Sequence, residues 1–277
     1  MSVVAEPKID CHNHIFDPLR FPYGADNPYW PAGPEISTAD QFLHLMDAHG
    51  VRNALVVEPN SGYGLDNRCL LDAIEHSTGR FKGIAVVPQD VAFAELVRLK
   101  SKGIIGVAFN PTFHGVDYYR NTRELLAKLV DLDLYLQIQV ERDQLLDLLP
   151  LLSQFRVRLL IDHCGRPDPE KGIDQPGFKA LLALAQNGRT CVKLSGHVKF
   201  SRQSYPYVDT WPYVRALAKE FTLDACIWGS DWPCLRVTER IGYERILILV
   251  ETLFPDSGDR RKLFWETPRR LFGFAES

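Results

Sequence analysis

The sequence predicts one α/β domain, a (β/α)8 barrel over residues 1–277. Short apolar runs rich in β-branched residues recur eight times, and a helical pattern follows each. Most of the runs are near-continuously apolar, as strands of a parallel sheet covered by helices are. The length of 277 residues suits a fold that typically takes ~250. The rival is an open doubly wound sheet, which usually binds a dinucleotide through a glycine-rich first turn. Here the first strand runs instead into Ile9-Asp10-Cys11-His12-Asn13-His14, without GxGxxG.

In chain order the expected strands are residues 8–14, 53–59, 81–88, 104–110, 134–141, 157–164, 190–195 and 225–231. The helical patterns between them are 37–49, 66–77, 91–102, 122–131, 142–154, 177–186, 208–220 and 243–253. Ser37 or Thr38 can cap the first helix. Gly50, Gly79, Gly103 and Gly188 fall where helices should end. Residues 15–36, with Tyr23, Tyr29, Trp30 and several prolines, read as a lid, a side wall or a plain loop. Residues 259–274 read as a basic, aromatic helix packed across the barrel bottom.

Composition excludes several classes. A net charge of −3 with 45% hydrophobic residues is ordinary for a soluble chain and leaves no basic footprint for nucleic acid. No apolar run is long enough to span a bilayer, and residues 1–7 lack a signal-peptide pattern, so a cytoplasmic location is expected. The cysteines Cys11, Cys69, Cys164, Cys191, Cys226 and Cys234 form no CxxC pair and read as buried thiols.

The pair His12-x-His14 carries the most functional information. Residues two apart on a strand face the same way. Two imidazoles aimed at one point are costly core filler, because each buried ring nitrogen needs a partner. A barrel gathers its active site at the C-terminal strand ends. Those ends hold His12 and His14, then Glu58, Asn110, Gln137, Gln139 and Glu141, His163 in Asp162-His163-Cys164-Gly165-Arg166-Pro167, Lys193 and Ser195, and Asp231 in Trp228-Gly229-Ser230-Asp231-Trp232-Pro233. His44, His49 and His76 lie in helical patterns, whereas His114 and His197 follow strands and could face the site.

These motifs resemble the amidohydrolase superfamily: HxH on the first strand, "IDHxGRP" after the sixth, "WGSDWP" after the eighth. The likeness is to its amidohydrolase-related lactonase branch, and in particular to 2-pyrone-4,6-dicarboxylate lactonases. It runs from Ile9 to Phe272. The resemblance implies a hydrolase that opens a lactone ring. Asp231 would be the general base toward water, and His12, His14 and His163 would polarise the lactone carbonyl. Sugar-lactone hydrolases and a galactarolactone isomerase share the branch, so a sugar-acid lactonase or isomerase is the alternative. A mononuclear metal-dependent hydrolase or decarboxylase is another, and a barrel that only binds its ligand is a third.

The pyrone dicarboxylate lactonases work without metal, and the same is expected here. Were a metal present, His12, His14, His163 and Asp231 would hold one Zn²⁺ or Mn²⁺. The fourth strand carries no lysine to bridge two ions. Carboxylates of the substrate call for cationic forks: Arg166 first, then Lys199 and Arg202, with Arg120, Arg123 and Arg236 behind them. The chain departs from those lactonases at Ala108, where they carry Arg, and near Gln139, where they carry Tyr. Asn110, Gln137 and Gln139 would also suit a hydroxylated sugar lactone. The expected partner is a small-molecule lactone, with assembly as a homodimer left open.

Overall fold

The computed structural model describes residues 2–275. Its strands are β1 (Lys8–Asn13), β2 (Val51–Val57), β3 (Phe81–Ala85), β4 (Ile104–Phe109), β5 (Tyr135–Ile138), β6 (Arg158–Ile161), β7 (Thr190–Leu194) and β8 (Cys226–Trp228). Their order in the sheet follows the chain from β1 to β8, the arrangement of a (β/α)8 barrel. The registered pairs β1–β2, β2–β3, β4–β5, β5–β6 and β6–β7 are all parallel. No helix among the described residues is long and apolar enough to cross a membrane.

The main helices fall where the periodicity places them: Ala39–Ala48, Arg68–His76, Phe93–Ser101, Arg123–Asp131, Gln144–Leu152, Pro176–Ala183, Trp211–Phe221 and Tyr243–Leu253. Thr38, not Ser37, caps the first; it and Gln41 form a reciprocal capping box. Gly50, Gly79, Gly103 and Gly188 all take left-handed backbone where helices end.

The chain divides into two compact units, residues 1–86 with 227–277, and residues 87–226. In the first, residues 257–272 form a helix with a π-helical centre at Lys262–Glu266. That helix packs on the N-terminal ends of strands. Phe264 lies against Trp228 and under the Lys8 ammonium, and Lys82 donates to the carbonyls of Phe272 and Gly273. Residues 15–36 form a wall docked on the loop after β2. Phe16 stacks on Tyr63, Tyr23 packs against both, and the Tyr63 hydroxyl accepts from the Asp17 amide at 2.9 Å. The second unit holds its core on β4 to β7, with Val107, Leu136, Ile138, Leu160, Ile161 and Val192 fully buried.

The strands stop earlier than their apolar runs suggest. β5 ends at Ile138, β6 at Ile161 and β8 at Trp228, so Gln139, His163 and Asp231 stand beyond the ladder. At two of these places the backbone turns left-handed (His163 φ 50°, Asp231 φ 59°), which a strand cannot accommodate. All six cysteines are buried, and among the described residues none is in a disulfide.

Candidate active site

In the first unit His12, His14 and Asp231 converge. The Nε2 atoms of both histidines lie 3.7 Å from Asp231 Oδ1. The two rings meet edge to face, with centroids 5.1 Å apart. His12 and Asp231 are buried, and His14 is 9% exposed. His14 Nδ1 sits 2.8 Å from the Val57 carbonyl. A carbonyl only accepts, so this nitrogen carries the proton, and Nε2 of the neutral ring presents its lone pair.

Asp231 is aimed by a tight lattice of backbone bonds. Its amide donates to the His12 carbonyl at 2.7 Å, and the Asp231 carbonyl accepts from the Cys234 amide at 2.6 Å. The His14 amide donates to the Trp232 carbonyl at 2.8 Å. Gly229 makes the approach feasible. A Cβ there would lie 2.6 Å from His12 Cβ and 2.7 Å from its amide nitrogen.

Asp10 lies under this site, two residues before His12 on the same strand face. It is fully buried and accepts four hydrogen bonds. The Ser230 hydroxyl (2.5 Å), Ser230 amide (2.9 Å), Tyr243 hydroxyl (2.8 Å) and His12 amide (3.2 Å) are the donors. Burial raises its pKa, and these donors oppose the rise. Reading the sequence assigned Asp10 no role; the signal was its period-two spacing from His12.

Glu58, just past β2, is 2% exposed, and among the described residues its Oε1 has no hydrogen-bond partner. Burial, and then the charge of Asp66, pushes its pKa well above the usual carboxylate range.

In the second unit His163 is 1% exposed, and its Nδ1 lies 3.0 Å from the Ser195 hydroxyl. Beside it, Lys193, Asp162 and Gln137 close a buried triangle. Lys193 Nζ reaches Asp162 Oδ1 at 3.1 Å and donates to Gln137 Oε1 at 2.5 Å, while Gln137 Nε2 donates to Asp162 Oδ2 at 2.9 Å. Both ends of Gln137 are thus committed to protein partners, which argues against the sugar hydroxyls suggested for it.

Arg166, Lys199 and Arg202 do come together. With Arg142 they line a cavity of about 170 Å³, which also carries Glu141 and Asp168. Arg166 pairs with Glu141 at 3.2 Å. Asn110 and Gln139 do not line that cavity. They form their own cluster, in which Gln139 Nε2 donates to Thr112 Oγ1 at 2.8 Å and Asn110 Oδ1 caps the short helix Pro111–His114. His197 is buried with Nδ1 2.8 Å from Thr210 Oγ1, and burial lowers its pKa to about 4. His114 is exposed and stacks on Tyr118.

The amidohydrolase family model matches residues 9–274. The chain belongs to this family. Among curated amidohydrolase relatives, the 4-sulfomuconolactone hydrolase of Hydrogenophaga intermedia is 36% identical, over 95% of this chain and 88% of that one. The 2-pyrone-4,6-dicarboxylate hydrolase of Comamonas testosteroni is 28% identical, over 95% and 89%. Among solved structures, a probable 2-pyrone-4,6-dicarboxylic acid hydrolase from Acinetobacter baumannii, with citric acid bound, matches at a TM-score of 0.87 and 28% identity. It covers 97% of this chain and 100% of its own.

The donor set of this amidohydrolase also fits a metal ion. One atom each from His12, His14 and Asp231 lies within 4.8 Å of the others. Two imidazoles and a carboxylate are ligands that Zn²⁺ accepts.

Proposed function

We propose that this protein hydrolyses a small lactone that carries a carboxylate or sulfonate, with Asp231 as general base. The observation that carries the reading is the convergence of His12 and His14 on Asp231 at 3.7 Å. Water is a weak nucleophile and needs a base placed to take its proton. Asp231 takes that proton as the water oxygen bonds to the ring carbonyl carbon. The tetrahedral adduct then collapses, the ring C–O bond breaks, and the freed ring oxygen leaves with a proton. The product is an open-chain carboxylate.

The histidines divide the remaining work. A neutral His14 carries its proton toward Val57, so it donates to a carbonyl oxygen only as an imidazolium. His12 and His163 are the donors to that oxygen, a role the family resemblance assigns. The cavity of Arg142, Arg166, Lys199 and Arg202 supports an anionic substrate, and relatives named for sulfomuconolactone and pyrone dicarboxylate support the same class. Gln139 and Asn110 add polar contacts at the strand ends.

The reading takes catalysis to need no metal. A divalent cation, when bound by His12, His14 and Asp231, would acidify a water and polarise the carbonyl.

The test is hydrolysis of 4-sulfomuconolactone and 2-pyrone-4,6-dicarboxylate by chelator-treated protein, followed by ring absorbance. Turnover of either supports the reading. Turnover restored only by Zn²⁺ or Mn²⁺ replaces the metal-free route. Turnover of sugar-acid lactones alone replaces the substrate class, and none on any lactone overturns the reading.

A further inference from the structure

His163 is held by more than its own turn. Its backbone is left-handed, and so is that of Gly196, whose missing side chain leaves room for the ring. A Cβ on Gly196 would stand 2.4 Å from His163 Nδ1 and 2.5 Å from Cγ. The ring is therefore packed flush against the backbone that follows β7. On that backbone Ser195, 2% exposed, places its hydroxyl 3.0 Å from Nδ1.

A serine hydroxyl can donate or accept. Among the described residues the Ser195 hydroxyl has one hydrogen-bond partner, His163 Nδ1. Were Nδ1 protonated, it would donate to Oγ, and the hydroxyl proton would be buried without an acceptor. That arrangement forfeits a hydrogen bond at a buried hydroxyl, Ser195 being only 2% exposed. The opposite arrangement satisfies both groups.

We propose that Ser195 donates its proton to Nδ1 and so fixes His163 as the Nε2–H tautomer, a positioning residue acting through the imidazole. His163 is then prepared in the opposite sense to His14. His14, with its proton on Nδ1, shows a lone pair at Nε2, ready to accept a proton or hold a cation. His163 shows an N–H at Nε2, ready to donate to a carbonyl oxygen as negative charge develops on it. The same proton keeps Nε2 of His163 from serving as a metal ligand. The catalytic consequence rests on the lactonase reading; the tautomer does not.

The experiment is ¹⁵N–¹H correlation spectroscopy of histidine-labelled protein near neutral pH, with His163→Gln used to assign the ring. The expected result is a protonated Nε2 and an unprotonated, hydrogen-bonded Nδ1 in the unmodified protein. Ser195→Ala should remove the hydrogen-bond signature at Nδ1 and lower kcat roughly tenfold with little change in KM. A protonated Nδ1 in the unmodified protein overturns the proposal even if Ser195→Ala fails to fold. An unchanged Nδ1 signal in a folded Ser195→Ala variant overturns it as well, since Ser195 would then not be donating to that nitrogen. The Nε2–H signature in a protein that hydrolyses no lactone upholds the assignment and rejects the lactonase reading alone.

Discussion

The histidines at the end of β1 and the histidine after β6 reach similar burial by different routes. His12 lies on β1 and His14 directly after it, and ordinary pleating turns both rings the same way. Backbone does much of their placing: the Val57 carbonyl meets the His14 ring, and Gly229 lies against the His12 backbone and Cβ. His163 stands off the ladder, on a left-handed turn in which Cys164 and Arg166 are left-handed too. Its environment is a side-chain hydroxyl and a glycine from the next strand. A carbonyl imposes one tautomer, whereas a hydroxyl permits two and is decided by its own remaining partners. The β1 pair is thus built by local geometry and the β6 residue by its neighbours.

The largest effect should come from the carboxylate facing the β1 pair. Asp231→Asn keeps the shape and removes the proposed base, so kcat should fall about 10³-fold with the fold intact by circular dichroism. Retained turnover would move the base elsewhere.

Next is the cradle of His163. Gly196→Ala sets a methyl 2.4 Å from the ring, so kcat should fall roughly 100-fold. Gly188→Ala is the control. Its φ of 65° matches the 63° of Gly196, but it opens on empty space. It should cost about 1 kcal/mol of stability and leave kcat alone. Equal losses of activity in both would show backbone strain, not ring placement, to be the cause.

The smallest effect on turnover should come from His197, a buried histidine with a structural task. Its folded pKa of about 4 lies below the ordinary value near 6.5. Between those values the unfolded chain binds a proton that the folded chain does not. Its contribution is therefore complete above about pH 6.5 and is lost as pH falls toward 4. From pH 7 to pH 5 the loss is about 2 kcal/mol. Urea midpoints at the two pH values should show it, and His197→Gln should abolish that share while leaving kcat at pH 7 unchanged. An unaltered pH slope would assign the acid sensitivity to another group; Glu58 pulls the opposite way, because burial raises its pKa and the folded chain binds its proton more readily than the unfolded one.

The strand–helix alternation, the parallel sheet order and the shared face of His12 and His14 were all legible in the amino-acid sequence. Each follows from local periodicity, 2.0 for strands and 3.6 for helices. The placement of Arg166 just after β6 and Asp231 just after β8 was legible from where the apolar runs end. Tertiary structure alone decided the hydrogen-bond accounting. Gln137 has the composition of a substrate ligand, yet Lys193 and Asp162 occupy both its ends. His197 follows a strand as a catalytic residue might, yet Thr210 holds it in the core. Asp10 looks like one more polar residue on β1 until Ser230 and Tyr243, more than 200 positions away in the chain, supply its donors. A partner for a buried polar atom is chosen in space, and no local period encodes it.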